Sequence, residues 1–376
     1  MAAPTTPLSP AARARLVDAV QHNCDIADAR HASDLSLCNY LLQMREFFRW
    51  ERGLPFGAKL PREALGAWIG EREARWQACE AQEYRPLPVP AAGDRGRAAP
   101  VRAIDAFDAE AVNAALLPHG LLYGAGLVGG MRPVFFVAEL HALGARAGLR
   151  VQQAGHELAR GLAAPPAALA SAADGPIVLR RESMARYGWE RYEAFCLRPM
   201  PESAFGAVVH AYGFERGFEQ ALPRWLADQT EVALLHELGE HGIARRVGGA
   251  WSAMRAALPT RRALLQAAAV RDQLADLTST LPALLAGSAD ASLHAWFAAY
   301  DGLREASFPR LLEAYRAWHG AEGSGDGGRA LRDAIARGTA HFEALVQRLL
   351  ACHGAEGATA GAALAALLDR ADAVCA

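Results

Sequence analysis

The sequence predicts a mainly helical α+β protein: a multi-helix body with a small antiparallel sheet around residues 120–155. Three observations carry that expectation. Apolar residues recur at helical spacing over long stretches of the chain. One region, 120–155, is instead rich in Val, Phe, Leu and Tyr and broken by glycines. From Arg180 onward the helical period returns and persists nearly to the end.

Residues 11–22 read as a first helix. A second follows over 35–52, where Leu35, Leu37, Leu41, Leu42, Met44, Phe47 and Phe48 share a stripe, Ser33 or Asp34 can cap the start, and Gly53 and Pro55 stop it. Pro61 opens a third, ending near Glu83, with Leu65, Trp68, Ile69 and Trp76 on one side. The stretch 85–100 holds four prolines and two glycines and reads as a linker or surface loop. Strands are expected over 120–126, 133–143 and 149–154, then a helix over 156–163 and a low-complexity loop over 163–176. Helices are expected at about 180–195, 202–220, 223–247, 260–281, 290–300, 303–318, 328–352 and 358–374, with the glycine run 320–328 as a flexible connection. The domain reading is an N-terminal helical segment 1–85, a sheet-and-helix region 100–257 carrying the candidate site, and a C-terminal helical region 258–376, or one domain throughout.

A chain of 376 residues that is 52% hydrophobic and 21% charged has the composition of a folded protein and excludes wholesale disorder. A net charge of −2 gives no field to draw nucleic acid or an anionic membrane, so neither is expected as a partner. No run approaches the roughly 20 apolar residues of a membrane span, and Met1 to Pro10 lacks the basic start and apolar core of a signal peptide. The six cysteines are scattered with no Cys-x-x-Cys pair, the usage of reduced thiols, so a cytoplasmic setting is expected.

The chemistry-bearing run is His236-Glu237-Leu238-Gly239-Glu240-His241, inside an amphipathic helix with Val232, Leu234, Leu235, Leu238, Ile243 and Val247. At about 100° per residue, His236 and Glu240 point within about 40° of each other at the edge of the apolar face. Glu237 and His241 form a second pair turned towards the polar side, so the first pair is expected to be the more buried. An i, i+4 His–carboxylate pair can grip one ion from a rigid scaffold. The zinc-protease pattern His-Glu-x-x-His is absent, because Glu240 stands at i+4 and His241 comes one residue late. The competing reading is a solvated helix whose charges pair with one another. Further ligands are sought in the strand Phe135-Phe136-Val137-Ala138-Glu139-Leu140-His141, where period two puts Glu139 and His141 on one face. Its bland counterpart is a strand that simply emerges into solvent after Ala138. Two histidines with two carboxylates suit zinc, iron or manganese. His119, His156 with Glu157, and His210 are weaker candidates.

Gly124, Gly126 and Gly129 match Gly-x-Gly-x-x-Gly, but a dinucleotide site needs a helix to begin at the glycines, and a Phe/Val strand follows instead. A hairpin turn is expected there. No P-loop, Gly-x-Ser-x-Gly elbow or kinase signature occurs. The polar run Asn23 to His31 is expected to cap helices and form local ion pairs, although Asp25, Asp28 and Arg30 can also reach into a site.

Cys24-Asp25-Ile26-Ala27-Asp28-Ala29-Arg30, then Leu37-Cys38, Tyr40-Leu41-Leu42, Met44-Arg45-Glu46 and Arg49-Trp50-Glu51, then Pro55-Phe56-Gly57, resemble a family of uncharacterised bacterial proteins. Phe135-Phe136, Ala138-Glu139-Leu140 and the His236–Glu240 run are similar to it as well. The resemblance covers most of the chain and brings no activity. It implies that the N-terminal run and the His–Glu helix belong to one protein unit.

The leading expectation is a metal-dependent enzyme acting on a small molecule or peptide, hydrolase ahead of oxidoreductase. His236, Glu240, Glu139 and His141 would be the metal ligands and Glu237 the base, in a chain that can form a homo-oligomer. The alternative is a non-catalytic helical binding or accessory protein, whose helices from 260 onward form a partner surface and whose His/Glu cluster is structural.

Overall fold

A computed structural model describes residues 7–90, 101–128, 132–164, 175–320, 328–370 and 374–375. The loop expected over 163–176, the turn after Val128 and the run 320–328 lie largely outside the described residues. The chain divides into two compact units, Met1–Glu190 and Arg191–Ala376.

In the N-terminal unit, helix α1 spans Pro10–His31, with the Ser9 hydroxyl accepting from the Ala12 N–H at its start. The expected helix of 11–22 thus continues straight through the polar run. Leu16, Val20, Cys24 and Ala27 pack on Leu87, Tyr123, Phe135 and Val137, and that burial holds the helix through Asp25 and Asp28. Helix α2 (Leu37–Glu51) is capped by Ser36, and α3 (Arg62–Cys79) follows Pro61. Met44, Phe47 and Phe48 of α2 bury against Trp68 and Trp76 of α3 and against Leu162. The stretch read as a loop contains a strand: β1 (Leu87–Pro90) pairs antiparallel with β2 (Val101–Ile104), Leu87 opposite Ile104. Its prolines are accommodated because this two-stranded sheet is all edge. Helix α4 (Ala109–Leu116), capped by Asp108, leads into the main sheet.

That sheet is ordered β3-β4-β5-β6, with β3 (Leu121–Val128), β4 (Arg132–Arg146) and β5 (Leu149–Arg160) antiparallel, and β6 (Ile177–Arg180) parallel to β5. The helix expected over 156–163 is therefore the end of β5. His156 to Arg160 carry good helix formers, but pairing with β4 overrides that local preference. Gly124 and Gly126 sit inside β3 opposite Phe136 and Val134. A Cβ at Gly124 would collide with the Phe136 ring, so the glycine makes room for a cross-strand aromatic.

Helix α5 (Arg181–Leu197) starts in this unit and runs across the boundary. The C-terminal unit is helical: α6 (Ala204–Tyr212), α7 (Phe218–Val247), α8 (Gly249–Ala256), α9 (Arg261–Ala275), α10 (Leu281–Ala286), α11 (Asp290–Ala298), α12 (Gly302–Ser307), α13 (Pro309–Gly320), α14 (Arg329–Glu356) and α15 (Gly361–Asp369). The helix expected over 202–220 breaks at Gly213, whose φ of 70° ends α6 in the left-handed region. Between α9 and α10 the backbone widens into a π-helical stretch, Asp276–Thr280. Leu235 and Ile243 of α7 share a core with Ala267, Val270 and Leu274 of α9, Phe308, and Phe342 and Leu345 of α14. Among the described residues no helix is long and apolar enough to cross a membrane.

Candidate metal centre

The wheel that predicts one apolar face for α7 captures half of its burial. Leu235, Gly239 and Ile243 form one buried stripe; Thr230, Leu234, Glu237 and His241 form another on the opposite side. His236 and Glu240 fall between the two. The expected order of burial is reversed: Glu237 and His241 are 7% and 5% exposed, while the side chains of His236 and Glu240 remain 24% and 18% exposed. The reason is that both faces of the helix are covered.

Close approach of α7 and α9 creates the site. A Cβ at Gly239 would lie 2.5 Å from the Ala275 carbonyl oxygen, so only glycine lets the two backbones meet there. The contact is extended where Ser279 donates its hydroxyl to the Leu235 carbonyl at 2.6 Å. On the flank of this crossing His236 meets Asp276 and Glu240 meets Arg271.

His236 Nδ1 is 2.9 Å from Asp276 Oδ1, and Nε2 is 3.4 Å from Glu240 Oε1. Asp276 is 1% exposed and fully engaged, accepting from Thr280 Oγ1 at 2.6 Å and from Arg304 Nη2 at 2.6 Å. Arg304 is itself laid over the Trp296 and Tyr300 rings, 4.9 and 5.4 Å from their centroids. The imidazole is thus fixed through Nδ1–H, leaving Nε2 to face Glu240. Histidines that ligate metals are oriented in this way, by a carboxylate on the other ring nitrogen. One donor atom each from His236, Glu240 and Asp272 lies within 4.8 Å of the others. Arg271 spans the two carboxylates, donating to Glu240 at 2.7 Å and to Asp272 at 3.2 Å.

Four carboxylates, Glu237, Glu240, Asp272 and Asp276, face His236, Arg271 and Arg304, so anions outnumber cations even with the imidazole protonated. Burial pushes Glu237 up to about 7, with Glu240 adding to the shift. Burial and the Glu240 carboxylate likewise raise Asp272 to about 6. Burial opposes the ionised form of Glu240, but His236 and Arg271 overcome it and hold that carboxyl at about 2. Asp276 is also at about 2, since His236, Arg304 and Thr280 outweigh its burial. His236 is raised well above 6.5: burial works against the charge, and Asp276 and Glu240 outweigh it.

Glu139 and His141 lie on β4 in the N-terminal unit, both exposed, beyond the point where the strand leaves the core at Ala138. Glu139 accepts from Arg13 of α1 at 2.7 Å. Irregular pairing with β5 between Val137 and Ala142 accompanies that exit. Sequence reasoning missed Asp272 and Asp276. Their only signal is an i, i+4 pair of aspartates in the Ala-rich stretch after residue 260, which means nothing until α9 is set against α7.

The N-terminal polar run builds a second cluster. Asp25 accepts from Arg72 at 3.1 Å and forms an ion pair with Arg75 at 2.6 Å; Asp28 accepts from Arg132 at 2.8 Å and from the Leu162 N–H at 2.7 Å. Both aspartates are buried. Arg72 also pairs with Glu51 and lies 4.8 Å from the Phe47 ring centroid. The local caps and pairs expected of this run are therefore long-range, buried ion pairs. Next to them Glu157 is buried beside Arg180, with Nε at 2.8 Å, and Glu182 accepts from His156, Trp50 and the Glu157 N–H.

Family models for the N-terminal and C-terminal domains of a family of unknown function, DUF6866, match residues 15–180 and 185–371. No curated protein and no solved structure matches the chain.

Proposed function

The chain belongs to the DUF6866 family over both of its units, and from that premise we propose a function on the chemistry of the site alone. The C-terminal unit binds a divalent cation, zinc, manganese or iron, through His236 Nε2, Glu240 and Asp272, and uses it in a metal-dependent reaction on a small molecule or peptide. One observation carries this reading: a three-donor set within 4.8 Å whose histidine is locked from behind by Asp276, itself held by Thr280 and Arg304. An excess of carboxylates supports a cation there, and the partial exposure of Glu240 and Asp272 supports access for water. One imidazole and two carboxylates with positions left open is a donor set for water activation, which favours hydrolysis over redox chemistry. Glu237, adjacent to His236 in the chain and buried, would serve as the base. A cytoplasmic setting fits the six free cysteines.

A second reading has its own observation. Arg271 bridges Glu240 and Asp272 and, with His236 against Glu240, offsets much of their charge without an ion, as a structural polar cluster in a non-catalytic accessory protein would. Metal analysis of tag-free protein after incubation with zinc or manganese separates the two. About one equivalent that falls to background in Asp272→Asn, with the variant's circular dichroism unchanged, supports the metal site. Less than about 0.3 equivalents, or the same metal content in His236→Ala and Asp272→Asn, supports the structural cluster.

A further inference from the structure

The N-terminal unit contains cations that its own residues leave unsatisfied. Arg180, at the end of β6, is 1% exposed; Nε donates to Glu157, and neither Nη1 nor Nη2 has a hydrogen-bond partner. Arg160, at the end of β5, is 2% exposed, with an unpartnered Nε and only a 3.5 Å contact from Nη2 to the Glu46 carbonyl. Aromatic rings cover both guanidiniums: Phe136 at 4.3 Å from Arg180, Trp50 at 4.8 Å from Arg160. A buried guanidinium with open N–H groups is expensive, because those donors have given up water and received nothing.

The neighbouring ion pairs point the same way. Glu46 is already shared by Arg45 and Arg49, and Arg186 is taken by Glu190 and the Ala164 carbonyl. These pairings leave the Arg180 fork and the Arg160 Nε without an acceptor. The open edge of Arg180 is the Nη1/Nη2 fork, whose parallel N–H bonds match the two oxygens of one carboxylate. Glu157 Oε2 is buried and unpartnered too, an acceptor for a hydroxyl on the same ligand.

We propose that the N-terminal unit binds a small monocarboxylate, its oxygens on the Arg180 fork beside Arg160 and its body against Phe136 and Trp50. The two parallel N–H groups of the fork match the two oxygens of one carboxylate, and a monoanion costs less to desolvate against the Phe136 and Trp50 rings than a phosphate dianion.

The test is thermal unfolding of the full chain at fixed ionic strength with acetate, glycolate, phosphate or chloride. Either carboxylate should raise Tm with the logarithm of its concentration above Kd, by about 3–6 °C at tenfold over its Kd, and the rise should vanish in Arg180→Lys, which keeps the charge and loses the fork. Should Arg180→Lys fail to fold, Arg160→Lys carries the same comparison, since its charge remains and its Nε–H is gone. Absence of a carboxylate shift up to tens of millimolar in the wild type would overturn the proposal. So would an equal or larger shift with phosphate or chloride, or an undiminished one in the lysine variant.

Discussion

The N-terminal unit buries its charges as arginine–carboxylate pairs beneath aromatic rings; the C-terminal unit gathers carboxylates round one histidine and leaves two of them, Glu240 and Asp272, partly wet. Arg180 and Glu157 are sealed to 1% or less at the side chain, whereas His236, Glu240, Arg271 and Asp272 keep between 18% and 31% of theirs exposed. What is left over differs as well: unpartnered guanidinium N–H groups in the first, an excess of carboxylates in the second. A sealed cluster makes each charge depend on its partner for stability. A half-open one can trade a partner for solvent or for an ion, and the same kinds of residue then carry chemistry instead.

The sharpest way to break that contrast is to remove one carboxylate from each cluster. Glu157→Ala leaves Arg180 buried without its counter-charge and should destabilise the N-terminal unit by about 3–5 kcal/mol in urea unfolding. Asp272→Asn, on the partly exposed side, should cost about 1 kcal/mol or less. Equal losses would abolish the distinction between a sealed and an open cluster.

Titration gives the next effect in size. Burial raises Asp28 to about 6, with Arg132 and the Leu162 N–H opposing the shift. A carboxyl whose folded pKa is raised binds its proton more tightly in the native state. Its contribution is complete below about pH 4 and is lost as pH rises through 6, about 3 kcal/mol in all. Unfolding of wild type and Asp28→Asn between pH 4 and 7 isolates it: wild-type stability relative to the variant should fall with rising pH. A rise would mean that the Arg132 pair dominates over burial.

Gly239→Ala tests the crossing that assembles the C-terminal cluster. The new Cβ meets backbone, the Ala275 carbonyl, so α7 and α9 must separate at a cost of about 1–3 kcal/mol. Metal affinity should drop with it, although no ligand is altered. Gly242→Ala on the same helix, where a Cβ meets nothing within 4 Å, is the control and should be neutral or slightly stabilising.

How far the sequence discloses all this follows the range of the interactions. The helix α7, the strands β3 and β4, and the i, i+4 pairing of His236 and Glu240 are legible because spacing along one element sets them. The strand end His156–Arg160 is not, since its local preference is helical and β4 decides it. Asp25 and Asp28 read as caps because their partners, Arg72, Arg132 and the Leu162 N–H, lie far along the chain. Asp272 and Asp276 stay silent until Gly239 and Ala275 bring two helices into register, and Asp276 is aimed by a π-helical stretch that no pattern announces.

The smallest effect bears on the other half of the sequence-derived ligand set. Glu139 and Arg13 form an exposed pair, 50% and 42% accessible at the side chain, where solvent screens the attraction and two long side chains lose freedom. Glu139→Gln should therefore shift stability by less than about 0.5 kcal/mol and leave the bound metal of the full chain unchanged, while His236→Ala removes it. His141→Ala, on the same exposed stretch of β4, should behave like Glu139→Gln. If either change halves the metal content, the ligand set extends to β4, and the contrast between a sealed N-terminal unit and an open C-terminal site must be redrawn.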